Sequence, residues 1–234
     1  MAAAPEIFYC RIMATAVIFD CDGVLVDSEV IAHAVEMAVL REVGLIYESA
    51  AFKAKFMGMS DQAFHAALDE DARAQLGRPI MAEIQPLMQA RYREKIALVG
   101  EVPGAGQAVH ALGMRPKAVA SSSGEAALEA KLKRTGLWDH FAPHVYSADH
   151  VTHAKPAPDL FLHAASKIGI VPAQCLVLED SVNGVRAAIA AGMEVWGFAG
   201  GGHMDEGMTG RLTEAGAARI VRDWNEASAL FARL

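Results

Sequence analysis

Ala16-Val-Ile-Phe-Asp20-Cys-Asp22-Gly23-Val-Leu-Val-Asp27-Ser28 is the stretch on which the reading of the whole chain turns. Its four apolar residues, Ala16 to Phe19, run without interruption into two carboxylates spaced i and i+2, and a glycine follows. An apolar run that short reads as a strand buried on both faces, the kind found in a parallel sheet. Gly23 lets the chain turn or approach a ligand closely. Such a strand delivers Asp20 and Asp22 to the carboxyl edge of a sheet, where open α/β folds bind ligands. Acids held that close repel each other, and a bound divalent cation is the usual relief. A lone Asp-x-Asp after a strand also serves as a turn and cap, so the rest of the chain must decide between the two.

Working outward, the pattern turns helical after Ser28. Val30, Ala34, Met37, Ala38 and Leu40 recur at helical spacing, and Gly44 suits a helix stop. Helices are expected over 51–57, 62–68 and 80–96, punctuated by Gly58, Gly77 and Pro79, with nothing that alternates like a strand. From Val102-Pro-Gly-Ala-Gly106 onward, short apolar strands alternate with helices. Strands are expected at 117–120, at a stretch ending in Tyr146, and at 175–178, 194–198 and 219–221. The helices between them span 107–112, 125–135, 159–168, 182–191 and 206–215, with a last one from Trp224 to the end. Alternation of this kind predicts right-handed βαβ units. The expected architecture is α/β: a Rossmann-like parallel sheet with helices on both faces, carrying an inserted all-helical cap. The core is assigned to residues 1–28 and 100–234, and the cap to 29–99.

Composition narrows the function classes. The 234 residues are 53% hydrophobic, enough for a substantial core, and the net charge is −7 with no Lys/Arg cluster. That excludes a nucleic-acid surface, whose affinity comes from neutralised phosphates. No apolar run reaches the roughly 20 residues of a membrane span. Cys10, Cys21 and Cys175 lack metal-ligand spacing and read as reduced thiols of a cytoplasmic protein. The segment before Met13 has neither an early basic region nor an apolar h-region, and it is expected to be incidental to function. The chain is expected to be a monomer or a weak homodimer.

Three further strand ends carry polar groups. Ser121 follows Ala118-Val-Ala120 and precedes a helix, so it is either a helix N-cap or part of an anion site at the helix N-terminus. Lys155 stands before Pro156 and Pro158, whose stiff backbone would fix an ammonium in place; a surface lysine in a Pro-rich turn is the alternative. Glu179-Asp180 ends an apolar strand, where adjacent acids are poor structural choices without a cation. Asp180 can also cap the helix that follows. Together these groups suit Mg²⁺, which takes oxygen ligands and substrate phosphate oxygens, and a phosphoryl group in transfer, which needs positive charge around it.

In order along the chain, Asp20-Cys-Asp22-Gly-Val-Leu-Val-Asp27-Ser28-Glu29, Ala120-Ser121-Ser122, Lys155-Pro156-Ala-Pro158-Asp159 and Val177-Leu-Glu179-Asp180-Ser181 resemble the four motifs of the haloacid-dehalogenase-like hydrolase superfamily. The placement of the helical insertion is similar to that of members with a small helical cap. The resemblance implies Mg²⁺-dependent phosphoryl transfer. Asp20 would be the nucleophile that forms an aspartyl-phosphate, and Asp22 the general acid that later serves as base. Ser121 and Lys155, with Ser122 beside them, would bind the transferring phosphoryl. Asp180, Glu179, Asp20 and the backbone carbonyl of Asp22 would hold the metal.

The resemblance also admits other chemistries. A dehalogenase would need neither Asp22 nor the Glu179-Asp180 pair, and a phosphonatase would lack an aspartate at position 22. A sugar phosphomutase of the β-phosphoglucomutase kind is the nearest rival. Such an enzyme carries an Arg where this chain reads Gly58-Met-Ser60-Asp61, and a His where it has Ala32, with His33 one place off. A receiver-like module that accepts phosphate as a signal would be shorter and have no insertion. The histidines are read as surface or core residues, and Gly200-Gly-Gly202-His203 as a loop at the site's rim. In the cap, Lys53, Lys55, Met57 and Met59 are the candidate substrate contacts. A mixed apolar and basic lining suggests a small phosphorylated metabolite, a sugar or sugar-acid phosphate.

Overall fold

The computed structural model describes residues 14–56, 59 and 61–234. Met57, Gly58, Ser60 and Cys10, on which readings above rest, lie outside the described residues.

The strand that opens the sequence reading is β1 (Ala16–Phe19), and every one of its residues is fully buried. It pairs in parallel on both edges, with β2 (Lys117–Ser121) on one side and β4 (Cys175–Glu179) on the other. Outside these lie β3 (Val145–Ser147), β5 (Glu194–Phe198) and β6 (Arg219–Val221). The order is β3-β2-β1-β4-β5-β6, and all pairings are parallel. Because the chain leaves β1 toward β2 and later returns to β4 on its other edge, the crevice off the end of β1 is the topological switch point, where such sheets bind ligands.

The two-fold alternation along β1 sorts its side chains between two cores. Val17 and Phe19 join one cluster and Ala16 and Ile18 the other. The first face is covered by α5 (Ala105–Ala111), α6 (Glu125–Arg134) and α11 (Trp224–Phe231). The second is covered by α8 (Asp159–Ile168), α9 (Val182–Ala190) and α10 (Glu206–Glu214). A parallel sheet sealed on both sides explains why its strands read as continuous apolar runs.

Between β1 and α5 come α1 (Ser28–Glu42), α2 (Ser49–Phe56), α3 (Asp61–Leu76) and α4 (Met81–Lys95). They close on a hydrophobic cluster of their own, with Val39, Phe52, Phe56, Leu68, Ile80 and Ile84 at its centre. The stems of this excursion are stitched together: Asp27 N–H donates to the Gly100 carbonyl and Val102 N–H to that of Leu25. Helix α3 runs eight residues past the expected end at 68, because Asp69 to Leu76 is mostly polar, with Ala72 its only fully buried residue, and so leaves little apolar signal. The short α7 (Trp138–Phe141) was likewise not legible, being about one turn long. No helix among the described residues is long and apolar enough to cross a membrane.

Candidate active site

Asp20 stands just past the end of β1, its N–H bonded to the Leu178 carbonyl of the neighbouring strand. That anchor aims its carboxylate into a cavity of about 500 Å³ off the carboxyl edge of the sheet. Lys155 reaches the same point from the loop before α8. Its ammonium donates to Asp20 Oδ1 at 2.6 Å, to Glu179 Oε2 at 2.8 Å and to the Ala120 carbonyl at 3.0 Å, which uses all three of its N–H bonds. Lys155 is only 4% exposed and packs over the Phe161 ring. Burial works against its charge, but Asp20 and Glu179 more than offset that and hold the amine above its usual range. It is a fixed ammonium and not a surface lysine.

Glu179 and Asp180 follow from the end of β4. Asp20, Glu179 and Asp180, all buried, each offer a carboxylate oxygen within 4.8 Å of the others. Burial, together with the Glu179 charge, pushes the carboxyls of Asp20 and Asp180 well above their ordinary value. A buried set of hard oxygen donors that repel one another is what a small divalent cation relieves, so the residues present fit Mg²⁺. The helix-cap role falls to Ser181 and not to Asp180. Ser181 Oγ accepts from Gly184 N–H at 3.0 Å and donates to Glu179 Oε1 at 2.8 Å, so the cap also orients one acid and leaves Asp180 free for the cavity.

Two glycines permit this crowding. Gly23 has φ +75°, and a Cβ there would lie 1.8 Å from Asp180 Oδ2. At Gly184 a Cβ would fall 1.9 Å from the Glu179 carboxyl carbon. Gly23→Ala should therefore displace Asp180. The expected outcome is a loss of activity of about 100-fold or more, with a stability cost of about 1–3 kcal/mol from the strained backbone. Steady-state assay and thermal denaturation of the purified variant check it; wild-type activity would mean that Asp180 is not needed where the structure puts it.

Ser121, at the end of β2, is buried and lines the cavity with Ser122. It does not cap α6, whose N-cap residue is Gly124. The helix N-terminus itself is less available than the sequence suggests, because the Glu125 N–H is taken by Asp149 Oδ2 at 2.8 Å. The Ser121 hydroxyl instead accepts from Ser123 N–H at 3.1 Å and sits 3.4 Å from Asp22 Oδ2.

Asp22 has partners that sequence reading missed. The Lys131 ammonium, from α6, lies 2.5 Å and 2.6 Å from its two oxygens; Ser123 Oγ donates to it at 2.7 Å, and Ser28 Oγ also donates. Burial would raise this carboxyl, but Lys131 and the two hydroxyls outweigh it and hold the group below its ordinary value. The signal for Lys131 was present but faint: it shares with Leu128 and Leu132 the buried stripe of α6, a core position on an otherwise charged helix.

The cavity departs from the expected basic lining. Met59 lines it, but Lys53 and Lys55 do not. Lys55 is drawn off by Asp71, at 2.5 Å and 2.7 Å, in a pair that Tyr47 joins. Glu29 from the start of α1 and Tyr92 from α4 are there instead, with Met208. His203, read from sequence as part of a rim loop, is buried against the acids, its Nε2 3.0 Å from Asp180 Oδ2. His33 points into the cap and meets Ser49 Oγ at 2.9 Å and the Phe52 ring.

An α/β fold with paired acids, a fixed ammonium and a serine converging at its switch point is the architecture of a hydrolytic phosphoryl-transfer site. The family model for haloacid dehalogenase-like hydrolases matches residues 14–192, and the chain belongs to that family. It is 38% identical over 181 residues to the fructose-1-phosphate phosphatase of Escherichia coli, covering 76% of this chain and 92% of that one. A haloacid dehalogenase-like protein of unknown function from Agrobacterium tumefaciens superposes with a TM-score of 0.86 at 34% identity, covering 94% and 98% of the two chains. A family hydrolase from Deinococcus radiodurans, solved with bound phosphate and sodium, gives 0.82 at 33%, covering 95% and 96%.

Proposed function

We propose that this chain is a phosphatase that hydrolyses a small phosphorylated metabolite through an aspartyl-phosphate on Asp20. The observation that carries the reading is the pairing of a buried carboxylate with a buried ammonium, Asp20 and Lys155, in a cavity that also holds Ser121 and a second acid, Asp22. Oδ of Asp20 attacks phosphorus while the bond to the leaving oxygen breaks and Asp22 gives that oxygen a proton. Asp22 then takes a proton from water, the water oxygen attacks phosphorus, and the bond to Asp20 breaks, releasing inorganic phosphate. Lys155, Ser121 and Ser122 orient the phosphoryl oxygens and offset the repulsion between carboxylate and phosphate dianion. The clamp on Asp22 favours its ionised form, the one the second step uses; an arriving phosphate dianion favours the protonated form that the first step uses.

Mg²⁺ would be held by Asp20, Asp180, Glu179 and the backbone carbonyl of Asp22, and would supply positive charge at the phosphoryl oxygens. Its binding should show without turnover. In millimolar Mg²⁺ the protein should melt at a higher temperature than in EDTA, with about 2.7 kcal/mol more stability when the ion stands at 100 times its dissociation constant. Indistinguishable melting curves would remove the metal from this site.

The leaving group follows from the rest of the cavity lining. With Lys53 and Lys55 outside it and Glu29 within it, the lining among the described residues holds no ammonium besides Lys155 to pair with a substrate carboxylate. We therefore favour a sugar phosphate over a sugar-acid phosphate, in keeping with the E. coli relative's named substrate. In a screen of phosphorylated metabolites by phosphate release, kcat/KM for neutral sugar phosphates should exceed that for carboxylate-bearing ones by about tenfold, or 1.4 kcal/mol. Glu29→Gln should narrow the gap. Hexose 1-phosphate should yield inorganic phosphate and not the 6-phosphate isomer. A best substrate bearing a carboxylate, or a phosphopeptide, would overturn this reading.

A further inference from the structure

We propose that Lys131 is a positioning residue for Asp22: a single buried ammonium, bridging both carboxylate oxygens, fixes the acid–base group in the orientation that turnover requires. The proposal rests on the phosphatase reading above and adds to it a residue outside the four sequence motifs. Lys131 is 4% exposed, and its Nζ meets Asp22 Oδ1, Asp22 Oδ2 and Ser123 Oγ at 2.5, 2.6 and 2.7 Å. An ammonium has three N–H donors, and these three contacts use them all, so none is left for a phosphoryl oxygen. Lys131 is also absent from the residues that line the cavity, whereas Lys155 is among them. The two buried lysines are thus divided in their work: Lys155 serves Asp20 and faces the cavity, and Lys131 stands behind Asp22.

The surroundings close the clamp. Ser123 accepts from Lys131 and donates to Asp22 Oδ2, and Ser28 donates to Asp22 Oδ1, so both oxygens are held from two directions. A neutral side chain in place of Lys131 would leave the hydroxyls alone to hold Asp22, free to rotate about its terminal torsion. Lys131 also buries its charge among Leu128 and Leu132, a costly place for a cation that does nothing but pack.

The test is a double-variant cycle read on a sugar phosphate, with Lys131→Met, Asp22→Asn and their combination. Lys131→Met should lower kcat by about 30-fold or more and leave KM within about threefold, because Lys131 touches no substrate. On the Asp22→Asn background the same change should cost less than about twofold, since there is no carboxylate left to place. Competitive inhibition by inorganic phosphate should stay within about twofold of wild type. Lys131→Arg keeps the charge but cannot set one nitrogen between both oxygens in the same space, and it should show the kcat loss with a normal melting curve. If Lys131→Met does not fold, Lys131→Arg takes its place in the cycle with the same criteria. A loss that multiplies unchanged onto Asp22→Asn, or phosphate inhibition weakened by about tenfold, would overturn the proposal, the latter by making Lys131 a phosphate ligand. No release of phosphate by the wild-type enzyme from any phosphorylated metabolite would instead overturn the phosphatase reading itself, and this proposal with it.

Discussion

Lys155→Met loses both stability and turnover. The substitution leaves Asp20, Glu179 and Asp180 buried together with no ammonium among them. Breaking a buried pair by removing one partner costs about 3–5 kcal/mol, and in a chain of this size each kcal/mol lowers the melting temperature by about 2–4 °C. A fall of about 6–20 °C in EDTA is the expected result. The deficit depends on pH, with a definite sign. Asp20 and Asp180 already have carboxyls raised well above 3.8, so the fold holds their protons more tightly than the unfolded chain does. Near pH 4 they are protonated and the loss of Lys155 matters less; as pH climbs through their raised values, charge appears with no ammonium to meet it and stability drops. Mg²⁺ should restore part of the melting temperature but not the activity, because a cation on the acids does not replace the ammonium proposed to orient the phosphoryl group. A variant as stable as wild type at pH 8 would show that Lys155 is not the counter-charge of this cluster.

Asp20→Asn abolishes hydrolysis of every phosphoester, by about 10⁴-fold or more on the scale seen when a nucleophile is removed. The amide fills the same space and can still accept from Lys155, but it cannot form the acyl phosphate. The fold should not suffer. Burial and the neighbouring acids outweigh Lys155 at this position, so the charge of Asp20 is itself unfavourable without a cation, and the neutral isostere should melt in EDTA at or above wild type. Steady-state assay with two leaving groups and a melting curve decide both halves; retention of more than a few per cent of activity would mean that another group attacks phosphorus.

The part of the site that was legible in the sequence is the part whose chemistry is local. Ala16 to Phe19 announced a buried strand because each residue packs against one face of a sheet or the other, and the same apolar signal marked the rest of the sheet. Acids, a serine and a lysine at strand ends are unusual enough in type to be noticed where they stand. What escaped is set by partners far away in the chain. Lys131 and Asp22 are 109 residues apart, and only its place on the Leu128–Leu132 stripe sets Lys131 off from Lys133, with nothing to say what it would meet. Lys55 was a reasonable substrate contact until the fold brought Asp71 within 2.5 Å of it. Asp149 occupies the α6 N-terminus in the same way, from a short helical turn after β3 that sequence spacing could not place. That Glu29 and Tyr92 reach the cavity depends on how α1 and α4 pack, an orientation that periodicity does not fix.

In the proposed mechanism Asp20 carries the phosphoryl group during turnover. It is tested most directly with Asp22→Asn and p-nitrophenyl phosphate, whose leaving group needs no proton, so that the first step proceeds while the second lacks its base. Mixed rapidly and quenched in acid, the variant should release p-nitrophenol in a burst of about one equivalent per enzyme. Borohydride reduction of the quenched protein should convert position 20, and no other, to homoserine. A burst without modification at Asp20, or homoserine at another aspartate, would contradict the account.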